Sequence, residues 1–253
     1  MATRWKTPSL NPEQQRDLKR EMLYQVASAE FRRKGYHGTS LDDVARQLGI
    51  SKATLYYYVK NKQDLLYQCH LVAADQAIAA VCSDPELTGL EQLRRTIIDY
   101  TTSIICDTSF SVVILEERSL NDEQLATVIK KRTRFERKLQ SIIRSGLDDG
   151  SITACDPKFA VFCILGASNW VTKWHRPNGE WGVAEIAEAV ALLLCGGLAS
   201  QHARQDGANR LYGSTITPSV QPQKATQDDR ERTRGERERG ARASTCNRRG
   251  NTA

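Results

Sequence analysis

Apolar residues recur along this chain at spacings of three and four, with charged residues between them, and no stretch shows the strict alternation of a strand. The first stripe runs through Leu18, Met22, Val26 and Ala29 and predicts a helix from about residue 13 to 34. Pro12 stands at its start, where a missing N–H costs nothing. Gly35 stands where a C-cap would. A short second helix follows, with Leu41, Val44, Ala45 and Leu48 on one face. Ser40 can cap it, Asp42 and Asp43 suit its positive end, and Gly49 stops it. Ser51 caps a third helix to about residue 59, and Asn61 caps a fourth over about 62–82. Further helices are expected near 88–106, 110–118, 122–148, 157–174 and 183–203. Turn signals such as Asp148-Asp149-Gly150 and Arg176-Pro177-Asn178-Gly179 separate them. The predicted fold class is all-α.

The pattern stops near residue 205. Residues 213–253 are rich in Ser, Thr, Gln, Arg, Glu and Gly and nearly lack large apolar side chains. Such a segment cannot bury enough surface to offset its ordering entropy, so 205–253 reads as a disordered low-complexity tail. The run from Asp228 to Arg242 mixes acidic and basic residues. Two roles stay open for it: a solvated extension, or a sequence-independent hold on DNA. The net charge of +6 suggests an anionic partner, but much of that charge lies in the tail.

Composition narrows the function further. With 253 residues the chain has room for a small reading domain and a larger helical body. Seven cysteines are scattered without a C-x-x-C pair, and the four histidines (37, 70, 175, 202) are dispersed. They read as reduced thiols and isolated imidazoles, so neither a metal nor another cofactor is expected. The apolar stretch over about 187–199 is too short to cross a bilayer, and Glu185 and Glu188 interrupt its leading edge. The first ten residues hold no apolar run of a secretory leader. A cytoplasmic protein with no membrane association is expected. No G-x-S-x-G, P-loop or H-x-x-x-H is present, and Glu116-Glu117 are adjacent on a helix and do not face each other. An enzyme is not expected.

Two short helices joined at Gly49 match a helix-turn-helix over 41–60. Ala45 is small where two helices must approach closely, and Gly49 suits a left-handed turn. Ile50 and Leu55 can plug a core with Leu41, Val44 and Leu48. The other face of the third helix carries Lys52, Ala53, Thr54, Tyr56, Tyr57 and Tyr58. Lys52 can donate to guanine or to phosphate, and Thr54 to a base, while its methyl can touch thymine. Tyrosine hydroxyls suit phosphate oxygens, which set register. Core packing is the alternative for each tyrosine. Lys62 brings a charge at a helix N-terminus, also suited to phosphate.

The run Gly38-Thr39-Ser40-Leu41-Asp42-Asp43-Val44-Ala45, then Leu48-Gly49-Ile50-Ser51-Lys52-Ala53-Thr54-Leu55-Tyr56-Tyr57-Tyr58-Val59-Lys60-Asn61-Lys62 and Leu65-Leu66, resembles the tetracycline-repressor (TetR) family. Ala29-x-Phe31 and Lys34-Gly35-Tyr36 fit its first helix. The resemblance covers about residues 17–77. It implies an N-terminal three-helix DNA-binding domain there and a C-terminal ligand-binding and dimerisation domain over 78–204. It implies phosphate contacts from Ser40, Tyr57 and Lys62, groove contacts from Lys52, Ala53 and Thr54, and a backbone contact from Tyr56. Tyr58 is a mild variation that can pack inward instead. The implied partners are double-stranded operator DNA, palindromic to match a homodimer, and a small-molecule effector.

Dimerisation also has support in the pattern itself. Ile186, Val190, Leu193, Leu194 and Leu198, with Phe159, Phe162, Ile164 and Leu165, make two helices too apolar for surface positions. Two such helices from each chain would pair as a four-helix bundle; burial against their own body is the alternative. A second likeness joins Glu117-Arg118-x-Leu120, Arg132-x-x-Phe135-Glu136, Asp156-Pro157 and Gly166-Ala167-x-Asn169-Trp170-x-x-x-Trp174-x-Arg176-Pro177-x-Gly179. It is similar to a branch of the family in which several members sense acyl-CoA thioesters. Arg132 and Arg176 would then meet anionic groups, with Trp170 and Trp174 as an apolar wall. Core anchoring for the two tryptophans and a helix-end role for Arg176 are the alternatives. The regulator so described is expected to repress, leaving its operator when the effector displaces the fourth helix; activation stays open. A non-specific DNA-coating protein is the competing reading.

Overall fold

The structure is a computed structural model that describes residues 11–106 and 117–207. The predicted tail beyond residue 207 and most of the predicted 110–118 helix lie outside the described residues. Among the described residues the chain forms α1 (Pro12–Gly38), α2 (Leu41–Leu48), α3 (Lys52–Tyr56), α4 (Lys62–Ala79) and α5 (Gly89–Cys106). A 3₁₀ turn (Glu117–Ser119) leads into α6 (Asp122–Asp148), α7 (Pro157–Trp174), α8 (Val183–Leu198) and α9 (Gln201–Gly207). The expected all-α class holds there, with a single isolated β-bridge, Ile152 to Ala199.

Local chemistry sets most helix ends. Asn11 and Gln14 form a reciprocal capping box on α1, and Pro12 occupies its first turn. Gly35, at φ 75° and ψ 164°, interrupts α1 in a conformation open to glycine alone. Thr39, buried, seals that end by donating its hydroxyl to the carbonyls of Glu30 at 3.1 Å and Gly35 at 2.8 Å. The buried face of α1 is Leu23, Ala27 and Phe31. It is not the predicted stripe, whose four members are half-buried.

Two apolar cores result. One gathers Leu23, Ala27 and Phe31 of α1 with Val44 and Leu48 of α2, Leu55, and Leu65 and Leu66 of α4. The other lies among α4 to α8, around Leu93, Ile97, Phe135, Leu139, Val161 and Ile186. The first core also contains Leu120, just after the 3₁₀ turn, and Val128 of α6. The Gln63 amide donates to the Ser119 carbonyl at 2.8 Å. The reading head is therefore built partly from residues far beyond position 77.

Long-range contacts set the remaining ends. A Cβ on Gly89 would lie 2.2 Å from the Gly146 nitrogen, so α5 and α6 cross backbone to backbone. The N-terminus of α5 donates from Gly89 to Asp149 at 2.7 Å and from Leu90 to Ser151 at 3.1 Å. The predicted 183–203 helix is two helices. The chain is extended at Ala199, where Thr153 N–H donates to Leu198 and Ser200 N–H to Ser151. Those two bonds replace helical ones, and α9 then begins.

Candidate functional site

The candidate nucleic-acid interface is the outer face of α2 and α3. Ser40 caps α2: its hydroxyl accepts from Asp43 N–H at 3.1 Å and donates to the Asp43 carboxylate at 2.8 Å. The helix ends at Gly49 with φ 66°, and Ile50 N–H returns to the Ala45 carbonyl at 3.0 Å. That turn aims α3 outward. Ser51 caps α3 by accepting from Thr54 N–H at 3.1 Å. Leu55 and Val59 are buried, and Lys52, Ala53, Thr54, Tyr56 and Tyr57 are exposed.

The three tyrosines separate cleanly. Tyr57 is 69% exposed and Tyr56 49%, whereas Tyr58 is half-buried against the reading-head core. Tyr58 meets the Tyr57 ring edge-on, with centroids 5.3 Å apart. α3 ends at Tyr56, short of the expected residue 59, and the turn that follows leaves the Tyr57 ring open and brings Tyr58 inward.

The predicted cations come with partners of their own. Lys52 pairs with Asp42 at 3.0 Å, and that carboxylate raises the ammonium's pKa. Lys62 donates to the Tyr36 carbonyl at 3.0 Å and lies 4.4 Å from the centre of that ring. Both can still turn to phosphate, but each must exchange a contact to do so. The Asp43 carboxyl is held well below the usual range by the Ser40 N–H, the Ser40 hydroxyl and Lys34. Lys34 also reaches the buried Glu30 at 3.3 Å and so ties α1 to α2. Glu30 and Thr39 carry this framework. For Glu30 the only signal was a charged residue on an α1 face otherwise read as solvent, whereas Thr39 stood in the run that resembles the family.

In the body, the four predicted effector residues differ in exposure: Arg132 is half-buried, and Trp170, Trp174 and Arg176 are exposed. Arg132, on α6, pairs with Glu117 and lies 3.4 Å from Nδ1 of the buried His70 on α4. Close by in the same core, the buried Tyr100 hydroxyl donates to Asn169 at 2.7 Å, and Thr101 meets Ser168 at 3.4 Å. Burial pushes the Tyr100 phenol well above its ordinary pKa. Trp170 and Trp174 face the other way and are 65% and 42% exposed. Trp174 meets Trp181 edge-on at 6.3 Å, and Arg176 is exposed beyond the helix end. The tryptophans are thus not core anchors.

Trp170 belongs instead to an open stripe on α7 with Phe159, Phe162 and Gly166, and on α8 Leu193 and Gly197 are open as well. Leu193 is 77% exposed. Ile164 and Ile186, by contrast, are buried in the chain's own core. The stripe repeats every three to four residues on one side of the helix. No helix among the described residues is long and apolar enough to cross a membrane.

Comparison with known proteins agrees with this geometry. Residues 23–69 match the model of bacterial regulatory proteins of the tetR family, and residues 86–198 match that of tetracyclin repressor-like C-terminal domains. The transcriptional repressor KstR2 of Mycolicibacterium smegmatis is 23% identical over 192 residues, which covers 71% of this chain and 90% of that protein. The fatty acid metabolism regulator protein of Bacillus subtilis is 26% identical over 169 residues, 65% of this chain and 87% of that one. The crystal structure of the TetR family regulator PfmR from Thermus thermophilus superposes with a TM-score of 0.62 at 30% identity, over 69% of this chain and 97% of that one. With both halves matched and the helix-turn-helix in place, the chain belongs to the TetR family of bacterial regulatory proteins and is a DNA-binding transcription regulator.

Proposed function

We propose that the chain is a homodimeric, cytoplasmic repressor that leaves a palindromic operator when a small acyl-CoA thioester, or a related catabolic intermediate, binds in its body. The observation that carries this reading is the contact between the two halves. Glu117, which holds Arg132 beside His70, stands three residues before Leu120, which is buried in the core of the reading head. A ligand that moves Arg132 pulls on the turn that packs under the DNA-binding helices. Such a ligand weakens DNA binding only by the difference in its affinity for the two arrangements.

The DNA contacts we propose are Ser40, Lys52, Ala53, Thr54, Tyr56, Tyr57 and Lys62. For the effector, Arg132 supplies the cationic group, with Tyr100 and Asn169 as polar company. The fatty acid regulator among its relatives supports the acyl class. The open stripe of α7 and α8 is assigned to the second copy of the chain, and Trp170 with it. Trp174 and Arg176 stand at the end of that stripe, where they meet an effector only if it reaches the dimer seam. Two stripes related by a two-fold axis pair as a four-helix bundle and hold two copies of α3 about one DNA turn, roughly 34 Å, apart.

Fluorescence anisotropy tests this reading. The labelled probe is the gene's own upstream intergenic DNA, with excess unrelated DNA present, and a panel of acyl-CoA thioesters is added. Competitor-resistant binding that one thioester abolishes supports it. Binding that no thioester disturbs removes the acyl-CoA assignment. Equal binding to upstream and unrelated DNA removes specific recognition there and favours a non-specific coat.

A further inference from the structure

We infer that Arg16, on the first turns of α1 and outside the helix-turn-helix, is an additional phosphate anchor that the exposed ring of Tyr57 holds at the DNA-facing surface. This rests on α3 being the DNA-facing helix. The Arg16 guanidinium lies 5.6 Å from the centre of the Tyr57 ring. Tyr57 is the most exposed of the three tyrosines on the recognition segment. Among the described residues, no carboxylate lies within ion-pair distance of Arg16, whereas Lys52 is held by Asp42, Lys62 by the Tyr36 carbonyl and Arg46 by Asp43. Arg16 is therefore a cation on this face that need not surrender an ion pair to meet DNA.

Its position is also built. The first buried residue of α1 is Leu23, yet the helix begins more than two turns earlier, at a capped Asn11–Pro12 start. Those turns contribute no buried side chain to the core, and the capping box keeps them helical. They carry Arg16 beside Tyr57. Stacking on an aromatic face leaves the guanidinium edge, with its N–H donors, directed at solvent. The tyrosine hydroxyl lies at the same surface. Together they present two donors to adjacent phosphate oxygens, and neither reads sequence.

The test uses the full-length protein as Arg16→Gln, Tyr57→Leu and the double variant. Each is titrated onto its own upstream DNA and onto an unrelated duplex of the same length, across a range of salt. Arg16→Gln is expected to weaken both complexes by a similar factor and to reduce the slope of log K against log salt by about 0.9, one released counterion. The loss is then about threefold larger at a given salt than at four times that salt. In the Tyr57→Leu background the Arg16→Gln effect shrinks, because the ring that held the guanidinium is gone. Unchanged slopes for Arg16→Gln overturn the inference, as does an Arg16→Gln effect of the same size with and without Tyr57. Lys52→Ala and Thr54→Ala serve as separate controls: if neither disturbs binding to the upstream DNA, it is the assignment of α3 that fails. Arg16 is exposed, so the thermal midpoint of Arg16→Gln should match that of the parent.

Discussion

Truncating Leu193 to Ala should split the dimer while leaving each chain folded. The side chain is 77% exposed on α8, so its apolar surface does little for the isolated chain. Removing it deletes about three carbons, worth about 0.8 kcal/mol each when fully buried. If the second copy covers the exposed three-quarters, the loss is roughly 1–2 kcal/mol per chain. A two-fold interface counts it twice, for roughly 2–4 kcal/mol in all. At 1.4 kcal/mol per tenfold, the dimer dissociation constant rises by about thirty- to several-hundredfold. Sedimentation equilibrium over a range of protein concentrations reads this directly, and circular dichroism checks that the helix content holds. A dissociation constant that does not move, or a parent chain that is monomeric at every concentration, refutes the assignment of this face.

Gly166 gives a prediction of opposite sign in the two states. A Cβ there meets nothing within 4 Å in the single chain, so Gly166→Leu should stabilise an isolated chain by up to about 1 kcal/mol through helix propensity and weaken a dimer whose helices approach closely there. Concentration-dependent melting separates the two effects. Cys163 lies exposed on the same stripe, and Cys106 is exposed at the end of α5. Iodoacetamide should modify Cys106 readily, and Cys163 only on dilution or in Leu193→Ala. Cys69, whose thiol burial pushes up to about 12, should stay unmodified until the chain unfolds. Labelling of Cys163 at one rate in every condition counts against the dimer face. The depressed Asp43 carboxyl predicts acid behaviour: its stabilising bonds persist above the ordinary carboxylate pKa of about 3.9 and are lost as pH falls through the lower folded value. Thermal unfolding from pH 7 down to pH 3 should show the onset of this loss in the parent and a smaller one in Asp43→Asn, where the likewise lowered carboxyls of Glu30 and Asp149 still contribute.

What the sequence revealed of the fold follows the range of the interactions. Helix ends set by neighbours were legible: Ser40 and Ser51 cap, Gly49 turns left-handed, and α6 and α7 begin and end where their caps and breakers stand. Helix ends set at a distance were not. Near Ala199 the sequence offers only Gly196-Gly197, and α8 runs through both; the backbone bonds to Ser151 and Thr153 end it. The face of α1 was misread for a different reason. Leu18, Met22, Leu23, Tyr24, Val26, Ala27 and Phe31 nearly encircle that helix, so two stripes fit the spacing. Only the packing against α2 and α4 selects Leu23, Ala27 and Phe31.

The candidate sites divide in the same way. The outward residues of α3 were legible because register along five residues decides them. The partners of Lys52 and Lys62 were not, and neither was Arg16, because the fold alone brings α1 beside Tyr57. The exposure of Trp170 was not legible either, since residues in one motif need not share a face. Asn169 bonds to the buried Tyr100, while Trp170, one position on and about 100° around the helix, faces out.

One helix thus serves two ends. Its inner residues, Ser168 and Asn169, lie with Thr101 and Tyr100 in the polar interior, where an effector's head group would compete for their hydrogen bonds. Its outer residues, Phe162, Gly166 and Trp170, stand where the second chain would pack. A close-packed helix shifts largely as a unit, so a displacement forced from inside would be felt at the dimer seam. Arg132 offers a second path, through Glu117 to the buried Leu120 of the reading head. Both paths would contribute to one coupling free energy between the sites, and it is reciprocal. An operator that holds the two heads at one spacing must therefore weaken effector binding by the factor with which the effector weakens the operator complex.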